Sequence, residues 1–516
     1  MKEILIVGGG IAGLYAALRC CELGFRVQLF EKNYRLGGHI NTATLNDVSI
    51  ETGAGRFNSG HKLLLKLINR YGLETYEHTG AKHYIPIINE SCKKKEFNVD
   101  EMIKKVLKYS EKVSEDLQKK ITFSQLCEMV LGFEDTKTLI EAFGYNGEFL
   151  ITNAYIGVKT FSEDFTNKYK YYSCVNGLTT LVDKIEDELL TKYKAKIYKN
   201  TFIKSYTITN ENKFILKTET DTYSGNYLIF ALPKQALMEI ELFTPFAKAL
   251  FDTVLPISLH RIYAYYPKSW FNNIPKITTD LQLRQFIPIN YDKAVAMVSY
   301  SDLYDADYWK LYADQGEEEL EKQLYRQLKR IFPRYQIPHA VKVMSYYWKE
   351  GTHTWIPGID PVEVRKKIQE LLPNVCIVGE AYSMRQGWIE GALETVEDIL
   401  PKIYKSSTGG VRLSYKSWIR MKNNILEEAD LDELKHLFPE IKWVVLQLPR
   451  DENKRIINVT DWMFMHPGGP NYFIDNMYKD ITKLFKANAM HYTDEGLKEH
   501  VFKMVQKYTI AYVNKK

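Results

Sequence analysis

Residues 4–56 constrain the fold of this chain more than any other stretch. The apolar run Ile4–Val7 is typical of a buried parallel strand, and glycines follow it at positions 8, 10 and 13. A helix rich in alanine and leucine comes next, and a second strand, Val27–Phe30, ends at Glu31. The fingerprint of dinucleotide binding in an α/β fold has the same order: a strand, a tight glycine turn, a helix, a second strand and an acid.

Each part of this fingerprint has a physical role. Gly8 permits the tight turn, Gly10 lets a pyrophosphate approach the backbone, and Gly13 lets the helix and strand pack closely. The helix N-terminus presents free N–H groups and the positive end of its dipole to phosphates. The carboxylate of Glu31 can accept hydrogen bonds from ribose hydroxyls. The expected nucleotide contacts are Gly8, Gly10, Ile11, Ala12, Gly13, Glu31 and Lys32.

The segment RLGGHINT, Arg35–Thr42, follows the acid closely and resembles the start of the flavin-dependent amine oxidase family. The family pattern is a glutamate, a short gap, GGR and then a threonine. The resemblance implies FAD as the cofactor and a Rossmann-type FAD-binding domain with an inserted α+β substrate domain. His39 stands where the family usually has an arginine that would neutralise phosphate charge, so the resemblance places His39 near the cofactor.

A second turn, Gly53–Arg56, is followed by His61 and Lys62 and resembles the L-amino-acid oxidase branch of the family. In that branch the arginine of the turn pairs with the substrate carboxylate, and a guanidinium has the planar two-donor fork that fits a carboxylate. The alternative is a surface arginine or one that pairs with phosphate. The resemblance also implies flavin contacts from Gly53, Ala54, Gly55 and Arg56.

Residues 62–165 alternate apolar and charged positions at helical spacing, which predicts several helices of a solvated cap. The resemblance implies that this cap covers the active-site mouth. Strands and polar turns are expected from about 195 to 233, and the resemblance implies that the backbone of Phe202 holds the adenine.

Arg261 takes the place of a family lysine that holds a water near flavin N5. Arginine cannot serve there as a base, and the alternative is a strand arginine facing solvent. The family resemblance also has Tyr300 donate to the substrate carboxylate.

Two segments near residue 350 and residue 380 complete the expected flavin site. The aromatic segment 346–358 contains no cysteine, so FAD is expected to be non-covalent, and His353 is either a pocket residue or a buried loop histidine. The strand VCIV ends at Glu380, which the family uses to accept from the ribityl hydroxyls. A helix starting near Ile389 would direct its dipole at the flavin. Trp388 would form a pocket wall, and the Gly387 carbonyl could accept from the amine.

These segments predict a domain organisation. An amine oxidase module spans 1–404, with a nucleotide domain built from about 1–65, 170–235 and 345–404, and a polar linker follows at 405–412. Residues 413–516 resemble the cytochrome b5-like haem-binding domain, a small α+β fold. His466 lies in its HPGG signature, and His491 follows 25 positions later. The resemblance implies that these two histidines hold haem b from both sides.

Composition limits which binding partners and which cellular compartment are expected. A net charge of +5 over 516 residues neither favours nor excludes nucleic acid, and because the chain has no concentrated basic stretch, no such partner is expected. The six cysteines are scattered without a CxxC pair, so neither a zinc site nor a disulfide framework is indicated. No apolar run approaches the length of a membrane span, and the fingerprint begins almost at Met1, which predicts a cytosolic protein. The oligomeric state is open.

Taken together, the residues and the resemblance predict oxidation of an amine, most of all an L-amino acid, to an imine and then to an oxo acid and ammonia. Arg261, Tyr300 and Trp388 are the expected catalytic residues, and the expected substrate contacts are Arg56, Tyr300, His353, Gly387 and Trp388. Electrons would pass to oxygen or through the haem domain to an electron-transfer partner. Two alternatives are a polyamine or monoamine oxidase and a catalytically weak flavin–haem scaffold.

Overall fold

The computed structural model describes 2–79, 82–88, 98–165, 169–209, 213–240, 243–369, 371–407, 425–426, 428–437, 442–448, 453–459, 476–487, 492–493, 496–497 and 499–513. Contacts between Cα atoms divide the chain into two units, Met1–Leu400 and Pro401–Lys516.

The strands of the first unit, in chain order, are β1 (Glu3–Val7), β2 (Arg26–Phe30), β3 (Thr42–Leu45), β4 (Val48–Glu51), β5 (Phe57–Asn58), β6 (Thr75–Glu77), β7 (Lys82–Ile85), β8 (Tyr171–Cys174), β9 (Lys196–Tyr198), β10 (Ser205–Ile208), β11 (Phe214–Lys217), β12 (Thr222–Gly225), β13 (Tyr227–Phe230), β14 (Val254–Tyr265), β15 (Lys276–Thr279), β16 (Gln285–Asn290), β17 (Val295–Asp302), β18 (Lys342–Trp355) and β19 (Val375–Ile377).

Its helices are α1 (Ile11–Glu22), α2 (Lys62–Arg70), α3 (Val99–Ser110), α4 (Glu115–Gln118), α5 (Phe123–Leu131), α6 (Phe133–Phe143), α7 (Gly147–Leu150), α8 (Ala154–Glu163), α9 (Thr179–Thr191), α10 (Lys234–Met238), α11 (Pro245–Phe251), α12 (Leu303–Ala313), α13 (Glu317–Ile331) and α14 (Pro361–Gln369), and α15 (Ile389–Ser407) begins in this unit.

A five-stranded parallel sheet carries the glycine fingerprint. Its order is β19-β13-β1-β2-β9, so strands from distant parts of the chain lie beside the N-terminal β1–α1–β2 unit. The strands are short and almost wholly apolar, as expected of a sheet that helices cover on its faces. This confirms the predicted α/β fold class.

A six-stranded sheet forms the second lobe of this unit, in the order β18-β14-β17-β16-β15-β7. Its strands are antiparallel except that β15 and β7 pair in parallel. Helices α3, α5 and α6 pack with β14 and β17 around one apolar core that includes Phe123, Phe143 and Tyr300.

The segment 62–165 is not helical throughout. Helices α2 to α8 follow the predicted spacing, but the chain also forms β6 and β7, which were not expected. β7 adds to the sheet by pairing with β15, about 190 residues later, and no local pattern reports such a partner. The helices are not simply a solvated cap either, since many of their apolar side chains are buried.

In the second unit the strands are β20 (Ile425–Leu426), β21 (Trp443–Leu446), β22 (Lys454–Asn458), β23 (Tyr492–Thr493), β24 (Gly496–Leu497) and β25 (Thr509–Val513), and the helices are α16 (Glu428–Leu437), α17 (Thr482–Ala487) and α18 (Glu499–Tyr508). β20, β25, β22 and β21 form one sheet in that order. Strands β21 and β22 pair antiparallel.

Two predictions on this part of the chain fall wholly or partly on residues that the structure does not describe. Both expected haem ligands, His466 and His491, lie outside the described residues. Helix α15 continues to Ser407, three residues into the predicted linker 405–412, and the rest of that linker also lies outside them. Among the helices the structure describes, none is both long and apolar enough to span a bilayer.

Candidate functional site

A cavity of 660 Å³ lies at the carboxyl edge of the parallel sheet. The residues that end four of its strands or follow them directly line it: Val7–Gly8 after β1, Phe30–Glu31 after β2, Phe230–Ala231 after β13 and Gly379–Glu380 after β19. Parallel α/β sheets bind ligands at this edge, and the volume falls within the usual range for cofactor pockets, about 300–1,000 Å³.

The glycine turn is shaped to admit a ligand to the backbone. Gly8 has a φ of +108°, and a Cβ there would lie 2.3 Å from the Ala231 carbonyl oxygen. Gly10 differs, because the nearest atom to a Cβ would be 4.0 Å away, at Gly38 Cα. The space over Gly10 therefore belongs to the cavity. Gly13 does not line the cavity; a Cβ on it would lie 1.9 Å from the Gly8 carbonyl oxygen, so it serves close packing.

The N-terminus of α1 is open to an anion. Gly10 precedes the helix in extended conformation, no side chain caps it, and the first turn contains no acid. The first N–H groups of the helix, at Ile11 and Ala12, therefore have no side-chain acceptor and line the cavity. These features fit the diphosphate of a dinucleotide.

Glu31 is held in place by the turns around it. Its Oε2 accepts from Gly9 N at 2.7 Å, and its Oε1 accepts from the backbone and side-chain nitrogens of Asn33 at 2.9 and 2.8 Å. A carboxylate has about four acceptor positions, so acceptor capacity remains for ribose hydroxyls. Lys32 lines the same end of the cavity, and Phe202 lines it with an exposed side chain.

His39 lines the cavity and packs edge-to-face on Trp348, with ring centroids 4.7 Å apart. Burial lowers the pKa of His39 to about 4, so the ring is neutral at pH 7. It therefore cannot supply the phosphate-neutralising charge of the family arginine. Arg35 also lines the cavity, and it fixes the glycine turn by donating to the carbonyls of Leu36, Gly38 and Ile40.

Two arginines and two tyrosines form a cluster in the cavity wall. Arg56 Nη2 donates to Tyr145 OH at 2.9 Å, and Arg261 Nη2 donates to Tyr300 OH at 3.1 Å. The tyrosine rings meet edge-to-face, 5.2 Å apart. Arg261 and Tyr300 face each other across β14 and β17, which explains their contact. Arg261 is buried and also donates to the Glu51 carbonyl, so the alternative of a solvent-facing arginine is wrong.

Glu380 organises a second group of cavity residues. Its Oε1 accepts from the backbone nitrogens of His353 and Gly387, at 2.9 and 2.7 Å, and its Oε2 lies 2.9 Å from His353 Nδ1. Glu350 Oε1 lies 3.5 Å from His353 Nε2. Burial lowers the pKa of His353, but Glu380 and Glu350 outweigh it and raise that pKa to about 9. His353 is therefore charged at pH 7, and the alternative of an ordinary loop histidine does not describe it.

We expect the His353 ion pair to make stability depend on pH. The folded pKa of about 9 lies above the ordinary 6.5, so the stabilisation is complete below pH 6.5 and is lost as pH rises through 9. At 1.36 kcal/mol per unit, the upper bound is about 3 kcal/mol. Chemical denaturation of the purified protein from pH 6 to 9.5 should show this fall.

His353→Gln should flatten that fall relative to the wild type, because it removes the titrating ring. His339 is a matched control, since its ring pairs with Glu321 on the surface with the imidazole mostly exposed. His339→Gln should leave the profile within about 0.5 kcal/mol of wild type. Equal profiles for wild type and His353→Gln would contradict the assignment.

The start of α15 closes the pocket. Gly387 has a φ of +78°, and Trp388 and Ile389 follow it along the cavity wall. The Trp388 ring lies 4.8 Å from that of the buried His61. Glu390, the acid of the first turn, caps α2 instead, since its oxygens accept from Leu63 N and Leu64 N at 2.9 Å. The α15 N-terminus thus faces the cavity with its own first-turn carboxylate turned away, while Glu380 accepts from Gly387 N just before the helix.

The structure brings nearly all the predicted site residues to one cavity. Of those in the described residues only Gly13 does not line it; the cavity is lined by Gly8, Gly10, Ile11, Ala12, Glu31, Lys32, His39, Gly53, Ala54, Gly55, Arg56, Phe202, Arg261, Tyr300, His353, Glu380, Gly387, Trp388 and Ile389. Sequence reasoning missed Tyr145, Glu148, Asp302 and Trp348, which also line it. Asp302 and Trp348 lie in segments for which the sequence predicts site residues, whereas Tyr145 and Glu148 lie in the predicted helical cap.

Comparison with known proteins agrees with this geometry. The model of the flavin containing amine oxidoreductase family matches residues 11–396 of the 516. The chain belongs to this family. It is an oxidoreductase, and family membership implies FAD, which the fingerprint turn, Glu31 and the α1 N-terminus fit.

Individual relatives of this amine oxidoreductase are distant. Achacin of Lissachatina fulica is 22% identical over 501 residues, covering 78% of this chain and 93% of that protein. Aplysianin-A of Aplysia kurodai is 22% identical over 504 residues, covering 78% and 90%. L-amino acid oxidase Cdc18 of Crotalus durissus cumanensis is 33% identical over 76 residues, which is 15% of each chain.

Proposed function

We propose that this amine oxidoreductase oxidises an L-α-amino acid, with Arg56 and Tyr300 as the carboxylate clamp. The observation that carries the proposal is that Arg56 has no carboxylate partner among the described residues. Its guanidinium makes one hydrogen bond, to Tyr145, and none of the described residues supplies it with a carboxylate. Arg56 lines the cavity, and a substrate carboxylate that enters there would fit the planar two-donor fork of its guanidinium.

Tyr300 and Arg261 complete the clamp. The Tyr300 hydroxyl accepts from Arg261, which leaves its own hydrogen free to donate to a carboxylate oxygen. Arg261 in turn is fixed by the Glu51 carbonyl at 2.8 Å. We assign Arg261 to positioning Tyr300 and to hydrogen-bonding a water with its remaining N–H groups. It does not act as a base, because arginine keeps its proton in proteins.

The other wall orients the amine. Trp388 lines the pocket on one side, and we assign the Gly387 carbonyl to accept from the amino group. Bound FAD would accept the hydride equivalent from the carbon that bears the amine. The N-terminus of α15 would stabilise the negative charge that reduction leaves on the cofactor. Water then converts the imine product to an oxo acid and ammonia.

The test compares an amino acid with its decarboxylated counterpart. Protein loaded with FAD is mixed without oxygen with L-leucine or with isoamylamine, and flavin absorbance is recorded. We expect flavin bleaching with leucine at least ~100-fold faster than with isoamylamine, since the clamp acts only on the former. Equal rates would favour a monoamine or polyamine oxidase, and no bleaching with any amino acid or amine would favour a scaffold.

The electron acceptor stays a prediction, as does haem b with His466 and His491 as its ligands. If the C-terminal unit binds haem, the purified protein should show a haem Soret band, and His466→Ala should abolish it with FAD content unchanged. Haem reduction after flavin bleaching would identify an internal electron route. A haem band that stays oxidised, with flavin recovering in air as peroxide forms, would identify oxygen as the acceptor.

A further inference from the structure

The cavity has an acidic end as well as a basic one. Glu148 and Asp302 both line it, on α7 and at the end of β17. Asp302 is held by backbone groups: its oxygens accept from Asn146 N at 3.0 and 2.8 Å and from Gly147 N at 2.6 Å. Glu148 is not held in this way. Beyond its own backbone N–H, none of the described residues makes a hydrogen bond or ion pair with its carboxyl group.

The geometry separates this acidic end from the carboxylate clamp. Tyr300 and Asp302 are two residues apart on one strand, so their side chains lie on the same face of the sheet. The two residues are about 7 Å apart along the strand. The segment 145–148 runs alongside: Tyr145 packs on Tyr300, and the next two residues bind Asp302. Arg56, bound to Tyr145, therefore lies at the Tyr300 side, and Glu148 lies at the Asp302 side.

We propose that Glu148 binds a positively charged side chain of the substrate, so that the chain prefers basic amino acids such as lysine. The proposal rests on the function proposed above. The α-ammonium of an amino acid is separated from its carboxylate only by Cα, and so stays beside the clamp. A side-chain ammonium lies a whole methylene chain away, just as Asp302 lies about 7 Å along β17 from Tyr300.

The electrostatics of the pair favour a cation. Burial, and next the neighbouring Asp302 carboxylate, raise the pKa of Glu148 to about 8, so the empty site keeps a proton on this group. A bound cation would stabilise the ionised form and displace that proton. Asp302 stays beside Glu148 and accepts from the backbone N–H groups of Asn146 and Gly147, so a cation bound at Glu148 has a second carboxyl group close by. Burial raises the pKa of Asp302 as well.

Two lysines near Arg56 are weaker evidence for a substrate with an acidic side chain. Lys82 and Lys276 are partners on β7 and β15, and neither lines the cavity. Burial, and next Arg56, lower the pKa of Lys82 to about 7 and that of Lys276 well below its usual value. Lys82 also donates to the carbonyl of Phe143 at the end of α6, which gives it a structural role.

The test uses three acids that lack the α-amine, the group that the proposed reaction oxidises. Hexanoate is neutral at its far end, 6-aminohexanoate carries an ammonium there, and adipate carries a carboxylate. Dissociation constants are measured at pH 8 from flavin absorbance of the FAD-loaded protein. We expect 6-aminohexanoate to bind at least ~10-fold tighter than hexanoate, and adipate to bind weakest.

Glu148→Gln should bring the ratio of the two dissociation constants close to one, since it keeps the shape of the protonated acid and loses the charge. Asp305→Asn is the matched control. Asp305 lies 3.6 Å from Arg284 and accepts from Asn146, but it does not line the cavity, so the ratio should stay at its wild-type value. FAD content reports folding of both variants.

Other outcomes separate the two proposals. A wild-type ratio near one, a ratio that survives Glu148→Gln, or adipate as the tightest ligand would overturn the Glu148 subsite. If Arg56→Met bound hexanoate as tightly as wild type does, the carboxylate clamp would be overturned. The ratio of the hexanoate and 6-aminohexanoate dissociation constants would still report on Glu148. Absence of binding by all three acids would overturn both.

Discussion

Arg56→Met is expected to lower kcat/KM for L-leucine about 1,000-fold. The substitution removes the guanidinium that has only a tyrosine hydroxyl as partner among the described residues, and it leaves a substrate carboxylate in the cavity without its cation. Leaving one member of a buried ion pair unpaired costs about 2–5 kcal/mol, and each 1.36 kcal/mol is a factor of ten in rate. Steady-state kinetics with leucine and isoamylamine measure the effect.

Two companion measurements isolate the carboxylate. The rate with isoamylamine should change much less, so the preference for leucine should almost disappear in Arg56→Met. Arg56→Lys should lie between the two proteins, because it keeps the charge and loses the planar fork. A variant that loses leucine and isoamylamine oxidation in equal measure would show that Arg56 serves the cofactor instead, the phosphate-pairing role left open by the sequence.

Gly10→Ala is expected to weaken FAD binding about 100-fold without destabilising the apoprotein. The new methyl group meets no protein atom closer than 4.0 Å, and a φ of −69° suits alanine. It does enter the space where a diphosphate approaches the helix N-terminus. Overpacking by one methyl group costs about 1–3 kcal/mol, and the upper end of that range corresponds to the stated loss. Titration of apoprotein with FAD measures it.

Gly13→Ala is the contrasting variant. Its methyl group would lie 1.9 Å from the Gly8 carbonyl oxygen, so the helix and strand must separate. We expect the apoprotein itself to lose roughly 3 kcal/mol of unfolding free energy. The pair distinguishes a glycine required by the ligand from a glycine required by the fold. If Gly10→Ala bound FAD as wild type does, the diphosphate would not lie over this turn.

The nucleotide half of the site could be predicted because its information is local. The β1–α1–β2 unit occupies about thirty consecutive residues, and its glycines are dictated by backbone clearance that the structure reproduces at Gly8 and Gly13. The segment around Glu380 and Trp388 is equally compact in sequence. Such patterns need no knowledge of the rest of the chain, only that a strand, a turn and a helix follow one another.

The substrate half could be predicted only in part. Arg56 and Tyr300 were expected to act together, and they do line one cavity, but Tyr145 joins them from a segment that was interpreted as a solvated helical cap. Strand β7 was missed in the same segment, because its partner β15 lies about 190 residues away. Charge states were also missed: nothing local shows that His39 is neutral and that His353 is charged.

The sequence by itself determined the α/β class, the dinucleotide fingerprint and the family, because these depend on short-range periodicity and on glycines at fixed spacing. The tertiary structure decided which side chains share the cavity and what charge they carry. Glu148, Arg56 and Tyr300 come together only when the helices around Tyr145 pack on β14 and β17. Burial and neighbouring charges, which exist only after that packing, set the proton on each group.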